Sequence, residues 1–287
     1  MDWVNAILQG TLLGGLYALF AAGLSLIFGV MRLVNIAHGD LIVLAAYLAL
    51  TVIMALGIHP LMSLLAVVPV MAVVGYVLQR SILNRTLGDD ILPPLLVSFG
   101  LSVIIQNALL ETYTADPQRL SAGPIEVASL NLGGLAVGYL PFLMFVTAVA
   151  IIGGLQIVFY RTGLGRAFRA VSDNQDIAQL MGINRRHVFA LAMALSLAVT
   201  AVAGIFLGIR TSFDPATGPA RLIFGFEAVI IGGMGSLWGT LAGGVILGVS
   251  QAIGAQVNPG WQILAGHVAF LVILAVRPRG LFPRMDG

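Results

Sequence analysis

The chain of 287 residues contains no cysteine and no lysine; all 14 of its basic residues are arginine. Without cysteine there is no disulfide, thiolate metal site, iron–sulfur cluster or thiol nucleophile. Without lysine there is no phosphate-binding loop of the G-x-x-x-x-G-K-[ST] kind and no Schiff-base chemistry. Any ATP chemistry therefore belongs to another chain, and no cofactor is expected on this one. Charge is scarce too: 9% of residues are charged, against about 25% in soluble domains. A formal net charge of +2 gives no reason to expect nucleic acid as a partner.

What the chain has instead is apolar length. Hydrophobic residues make up 59% of it, and the mean hydropathy is +1.01, which marks an integral membrane protein. The first apolar run is too long for a secretory signal, and Asp2 is its only early charge, so it reads as a retained span. Charge-free stretches cover 3–31, 41–79, 91–110, 127–160, 187–209 and 228–276. The second breaks at Gly57-Ile58-His59-Pro60 and the last at Asn258-Pro259-Gly260, because proline and glycine end helices. The front of the fourth carries Asn131-Leu132-Gly133-Gly134 and is read as non-helical. Eight helices are predicted: 5–31, 41–57, 61–80, 93–111, 139–160, 188–209, 237–256 and 260–276.

Arginine accumulates in cytoplasmic loops. Arg161, Arg166, Arg169, Arg185 and Arg186 crowd the loop 161–187, and Arg277, Arg279 and Arg284 the tail, so both are expected inside. Parity then demands one more crossing between 210 and 237. The short apolar piece 222–236 supplies it. The expected fold is an all-α polytopic membrane domain over 1–287, with nine crossings, the N-terminus outside and the C-terminus cytoplasmic. Loop 80–92 falls inside, and 112–138 outside with a short helix or hairpin.

The halves, about 5–111 and 188–276, share a pattern that would make an inverted pseudo-repeat. In each, a long glycine- and alanine-rich helix runs into a polar stretch, 32–40 or 210–221, and then into a short apolar helix. Broken helices at matching places in two halves point to a translocation path, since irregular backbone survives at membrane depth only against protein or a watery cavity. The path is therefore assigned to Asn35, His38, Gly39 and Asp40 in one half and to Glu227, Gly232 and Gly233 in the other. Two uses of Asp40 stay open, a helix N-cap and a group facing the path. Glu227, a carboxylate at membrane depth, either pairs with Arg210 or Arg221 or faces the cavity. The four histidines show no metal-ligand spacing, so neither a metal site nor catalytic residues are assigned. Gly239, Gly243 and Gly244 put small residues on one helix face for close packing.

In loop 161–187, Ser172-Asp173-Asn174-Gln175 fits an S-x-x-Q capping box, with Asp173 and Asp176 at the positive end of the helix dipole and Gly182 as the stop. A small helix with an apolar side follows, carrying Ile177, Ala178, Leu180 and Met181. It is too short to stand alone in water, so it docks either on headgroups or on a cytoplasmic partner.

Gly23-Leu-Ser-Leu-Ile-Phe-Gly-Val-Met-Arg-Leu-Val-Asn-Ile-Ala-His-Gly-Asp40, Glu227-Ala-Val-Ile-Ile-Gly-Gly-Met-Gly-Ser-Leu-Trp-Gly239 and the tail Arg277-Pro-Arg-Gly-Leu-Phe282 resemble the LivH-type permease subunits of bacterial branched-chain amino acid ABC importers. The loop from Arg169 to Ile183 resembles that family's coupling loop. The resemblance implies a type II-like importer permease in the inner membrane. Its partners would be a second, LivM-type permease, two cytoplasmic ATPases carrying the ATP and magnesium, and a periplasmic solute-binding protein. It makes 172–182 the coupling helix, with Arg169, Ser172, Asp173, Asp176, Ala178, Gly182 and Ile183 as coupling residues. The solute would be a branched-chain or other hydrophobic amino acid; similar permeases serve urea, short amides and aromatic acids. A stand-alone secondary transporter would have no use for a docking helix. An intramembrane prenyl transferase would want two aspartate-rich motifs, whereas Asp89-Asp90 is the only acidic pair.

Overall fold

The computed structural model describes residues 2–88, 90, 92–132 and 135–282. The elements are α1 (Asp2–Met31), α2 (His38–Leu56), α3 (Leu64–Ser81), α4 (Leu92–Tyr113), a hairpin of β1 (Ser129–Leu132) and β2 (Leu135–Gly138), α5 (Tyr139–Arg161), α6 (Gly163–Asp173), α7 (Gln175–Leu180), α8 (Arg185–Arg210), α9 (Gly218–Gly232), α10 (Leu237–Val257) and α11 (Gln262–Val276). Single 3₁₀ turns at Pro60–Ser63 and Pro259–Trp261 lead into α3 and α11. Among the described residues eight helical segments are long and apolar enough to cross a membrane. They are the eight long helices read from the sequence, and α9, with 15 residues, is the short ninth piece. The stretch read as non-helical before α5 is the hairpin, paired antiparallel from Ser129 against Gly138; Gly133 and Gly134 lie outside the described residues, as do Asp89 and Arg284.

Helix α1 is apolar on every side, and 89% of its most apolar window is buried. Such a helix belongs at the centre of a bundle. Glycines set how closely the others approach it. Gly10 and Gly14 of α1 lie against the backbone of α10 at Gly248 and Gly244, so the two helices run antiparallel at backbone contact. Small residues at such crossings allow van der Waals and Cα–H contact in a medium that offers no hydrophobic drive between helices. Gly75 of α3 meets the Met193 carbonyl of α8. Gly204 of α8 meets the Ile42 carbonyl of α2, and Gly225 of α9 meets Phe20 and Leu24 of α1.

The packing exchanges partners between the two sets of helices. α1 packs on α10 and α9, and α8 packs on α3 and α2; α4 hangs on α2 as α11 does on α9 and α10. The outermost members are thinly covered: 22% of the apolar window of α4 is buried, and 6% of that of α11.

At one end of the bundle the hairpin and the loop after α4 join the end of α8. Gln118 and Phe213 exchange backbone hydrogen bonds of 2.8 and 2.9 Å, and Leu120 N–H donates to the Gly208 carbonyl at 2.9 Å. The hairpin also reaches the start of α1, where the Gln9 side chain donates to the Ala136 carbonyl. The opposite end carries α6, α7 and the tail.

A candidate translocation site where two broken helices meet

The chain leaves α1 through Arg32, which has a left-handed backbone (φ 53°), and turns back toward the middle of the bundle. His38, the first residue of α2, hydrogen-bonds through Nε2 to the Phe20 carbonyl at 3.1 Å. Gly23 of α1 faces His38 together with Ser196 and Thr200 of α8. From Met31 back to the level of Phe20 is about 16 Å at 1.5 Å per helical residue, within reach of six extended residues at ~3.3 Å each. Residues 32–37 are therefore a re-entrant strand of backbone, and α2 starts at mid-depth. The chain after α8 repeats the move: residues 211–217 re-enter, and α9 begins at Gly218, against Gly39 and Asp40 of α2.

The two helix starts touch. A Cβ built on Gly39 would fall well inside van der Waals contact distance of the Gly218 carbonyl oxygen, and one on Gly218 would overlap the Asp40 carboxylate. Asn35 shapes the first turn of the approach: its side-chain oxygen accepts from Ala37 N–H at 3.1 Å, and its carbonyl from His38 N–H at 3.3 Å. Asn35, His38 and Asp40 are all buried.

Asp40 is not a cap. α2 begins at His38, three residues earlier than a cap at Asp40 allows, and Ala37 holds the cap position without a side-chain bond. The Asp40 carboxylate instead crosses to α4, accepting from Ser102 Oγ at 2.5 Å and from Gln106 Nε2 at 2.9 Å. Ser98, one turn before Ser102, accepts from Ile36 N–H at 3.2 Å. Positions 98, 102 and 106 make one stripe of α4 at a spacing of four, and that polar stripe ties α4 to the broken segment.

Glu227 also differs from the arginine pairing considered above. It is buried, and its Oε1 bonds His267 Nδ1 on α11; Arg210 and Arg221 form no ion pair among the described residues. The reason is the helical face. Gly225 and Phe224 turn that side of α9 toward α1, where the Phe224 ring lies between Tyr17 at 5.1 Å and His267 at 6.2 Å, so Glu227 one turn on faces α11. In each half, then, a buried carboxylate on the broken helix binds the thinly covered outermost helix: Asp40 to α4 and Glu227 to α11. Sequence reading missed His267, Ser102 and Gln106; the period-four spacing of Ser98, Ser102 and Gln106 in an apolar helix was the available signal.

Gly232 and Gly233 close α9. Gly232 packs on the Gly239 backbone of α10, and Gly233 (φ 101°) receives the tail at Gly280. Leu281 and Phe282 N–H groups donate to the Ile231 and Gly232 carbonyls at 2.9 and 3.0 Å, which satisfies the orphan acceptors at that helix end. The Arg277–Phe282 motif thus caps α9.

In the arginine-rich loop the capping box does not form. Ser172 and Asp173 belong to α6, whose amphipathic pattern runs to Asp173, and Asn174 caps α7 by accepting from Asp176 and Ile177 N–H, each at 3.0 Å. An Asn side chain is a good cap, so the box residue Ser172 is released to donate to the Gly29 carbonyl of α1 at 2.7 Å. Gly29 in turn packs on Gly235, in the turn after α9. Arg169 donates to the Phe159 carbonyl at 2.7 Å and lies 5.0 Å over the Tyr160 ring, fastening α6 to the end of α5. Asp176 occupies the first turn of α7, and Gly182 closes it with φ 82°. Ile183 N–H donates to the Ala178 carbonyl at 3.0 Å. Ala178 is buried, whereas Ile177, Leu180 and Met181 are 59%, 87% and 78% exposed. No group of three or more His, Asp or Glu able to hold a metal occurs among the described residues.

Re-entrant segments meeting inside a bundle of membrane-length helices define a polytopic transport permease. The family model described as "Branched-chain amino acid transport system / permease component" matches residues 6–277, and the chain belongs to that family. It is 29% identical to the high-affinity branched-chain amino acid transport system permease protein BraD of Pseudomonas aeruginosa, across 99% of this chain and 97% of that one. It is 28% identical to the corresponding permease protein LivH of Escherichia coli, across 99% and 96%. Its identity to the permease protein LivM of Salmonella typhimurium is 25%, across 93% and 68%. No solved structure matches the chain.

Proposed function

We propose that this chain is the membrane permease subunit of an ATP-driven importer that carries branched-chain or other hydrophobic amino acids across the bacterial inner membrane. In that reading it pairs with a second permease of the LivM kind, two cytoplasmic ATPases that bind ATP and magnesium, and a periplasmic solute-binding protein. The observation that carries it is the Gly39–Gly218 junction, where two half-crossing helices start against each other. Helices that stop at mid-depth are the discontinuous elements around which alternating access is built.

The orientation follows from arginine: the end with α6, α7 and the tail is cytoplasmic, and the hairpin end is external. The block made by the loops 112–138 and 210–221 offers the binding protein one surface. The exposed face of Ile177, Leu180 and Met181 on α7 suits a groove on an ATPase. Motion there passes through Ser172 to Gly29 and, by the Gly29–Gly235 contact, to α9. α9 starts on the junction at Gly218 and ends at Gly232, just before Gly235, so its two ends meet the site and the coupling layer.

Gentle extraction of the tagged protein from its host, with mass spectrometry of what co-purifies, tests the reading. Recovery of a second permease and Walker-type ATPases is expected. A homo-oligomer that transports without any ATPase overturns it in favour of a secondary transporter.

A further inference from the structure

A cavity of about 180 Å³ opens beside the junction, between the outer half of α4 and the re-entrant segment before α9. Gln106, Asn107 and Leu110 line one side of it and Asp214, Pro215 and Ala216 the other. Its polar groups are spent unevenly. Gln106 Nε2 donates to Asp40 Oδ1 at 2.9 Å and to Ser102 Oγ at 3.2 Å. Asn107 Nδ2 donates to the Val103 carbonyl at 2.8 Å. A carboxylate and a carbonyl can only accept, so each amide is oriented with its oxygen left over; Gln106 commits both N–H groups and Asn107 one of its two. Asp214 Oδ1 accepts from Ala216 N–H at 2.8 Å, while Oδ2 accepts no hydrogen bond among the described residues. The side chains of the lining thus offer the cavity three oxygen acceptors, one of them a carboxylate, against a single uncommitted amide N–H, that of Asn107. No arginine lines it, and Arg221, which lies within electrostatic reach of Asp214, forms no ion pair with it. Leu110, Pro215, Ala115 and Ala216 supply apolar wall.

We infer that this cavity is a binding site for a primary ammonium group bearing a short aliphatic chain, the amine end of an amino acid, with Asp214, Gln106 and Asn107 as its acceptors. An ammonium carries three donors and no acceptor, which matches the three acceptors of this lining, whereas a carboxylate or an uncharged amide oxygen would find one amide N–H, on Asn107, beside the Asp214 carboxylate and two amide oxygens. The site lies on the external side of the junction and shares Gln106 with it, so the amide that receives the solute also holds Asp40. This deepens the importer reading and rests on it for the identity of the solute.

The chain contains no cysteine, so a single engineered thiol reports the site. In the assembled complex, Ala216→Cys is reacted with 2-aminoethyl methanethiosulfonate and with its 2-sulfonatoethyl counterpart, and the modified mass of this chain is followed over time. Val127→Cys, at a position 86% exposed on the loop before the hairpin, is the reference. The cationic-to-anionic rate ratio at position 216 is expected to exceed the reference ratio by about tenfold or more, as charge focusing in a cleft produces, and to fall to it when Asp214→Asn is added. Ala115→Cys, also bordering the cavity, gives the same reading if the first variant assembles poorly. Equal ratios at the cavity and the reference overturn the site. Uptake of L-leucine into vesicles separates this from the importer reading: leucine uptake by the wild-type complex together with equal ratios in the cysteine variants refutes only the site. A raised ratio in the Ala216→Cys variant with no amino acid uptake by the wild-type complex refutes the importer reading and leaves the ammonium site standing.

Discussion

Gly39 and Gly218, 179 positions apart in the chain, are in backbone contact at the starts of α2 and α9, with no room for a single carbon between them. Each helix start is the positive end of a dipole, and the Asp40 carboxylate lies against both. The junction therefore joins the two halves by steric closeness and by charge together.

Alanine at either glycine should break it. The obstructing atoms are backbone, which cannot rotate away, so Gly39→Ala and Gly218→Ala are each expected to cost about 1–3 kcal/mol or more. Gly153→Ala on α5, where an added Cβ meets nothing within 4 Å, should be neutral or stabilising by about 0.5–1 kcal/mol. Thermal unfolding of the purified protein orders the three; a Gly39→Ala variant as stable as Gly153→Ala would refute the contact.

The Asp40 bonds to α4 predict a graded series. Asp40→Ala leaves the Ser102 hydroxyl without its acceptor and the Gln106 amide with Ser102 Oγ alone, a loss of about 1–3 kcal/mol. Asp40→Asn retains one acceptor oxygen and should fall between it and the wild type. Melting temperatures in detergent that fail to follow wild type, Asn, Ala in descending order would show that α4 is held by other means.

Glu227 and His267 should be strongly coupled. His267→Leu leaves a buried carboxylate without its partner, and Glu227 Oε2 already has none. Removing one member of a buried pair is worse than replacing both, so Glu227→Leu/His267→Leu is expected to be more stable than His267→Leu alone. A double-mutant cycle reads this directly, and additive effects would count against the pairing.

On α7 the exposed apolar face proposed to dock includes Leu180 and Met181, because Ala178 is buried. Leu180→Asp and Met181→Asp should leave stability within about 0.5 kcal/mol while reducing ATPase recovery and solute uptake. Ala178→Trp should lower the melting temperature through overpacking. If the two aspartate variants retain the ATPases and transport normally, α7 is not the coupling surface.

Helix positions were legible because a membrane helix satisfies its own backbone and needs only a long apolar stretch with punctuation at its ends. Gly57-Ile58-His59-Pro60 and Asn258-Pro259-Gly260 stood out for that reason, as did the short ninth piece. Its bounds moved four residues earlier, from 222–236 to Gly218–Gly232, since Pro219 sits comfortably in a first helical turn and the glycines after it end the helix. α2 likewise starts at His38 rather than 41: its polar first residues are satisfied by neighbouring helices, which hydropathy cannot register. Ser172 was misassigned because Asn174, two residues on, is a competing cap.

The sequence by itself determined that this is a membrane protein, how many membrane-length helices its described residues hold, and where two helices are interrupted. These are local or compositional properties, settled within one helix by backbone hydrogen bonding and the cost of charge in lipid. Only the tertiary structure decided that Asp40 answers to Ser102 and Gln106, Glu227 to His267, and Gly39 to Gly218. Those partners are far apart in the chain and meet only where backbone-close glycine crossings such as Gly10 with Gly248 and Gly14 with Gly244 set the depth and rotation of each helix. In a bilayer that rotation is decided by packing and interhelical hydrogen bonds rather than by hydrophobicity, so apolar patterning carries little record of it.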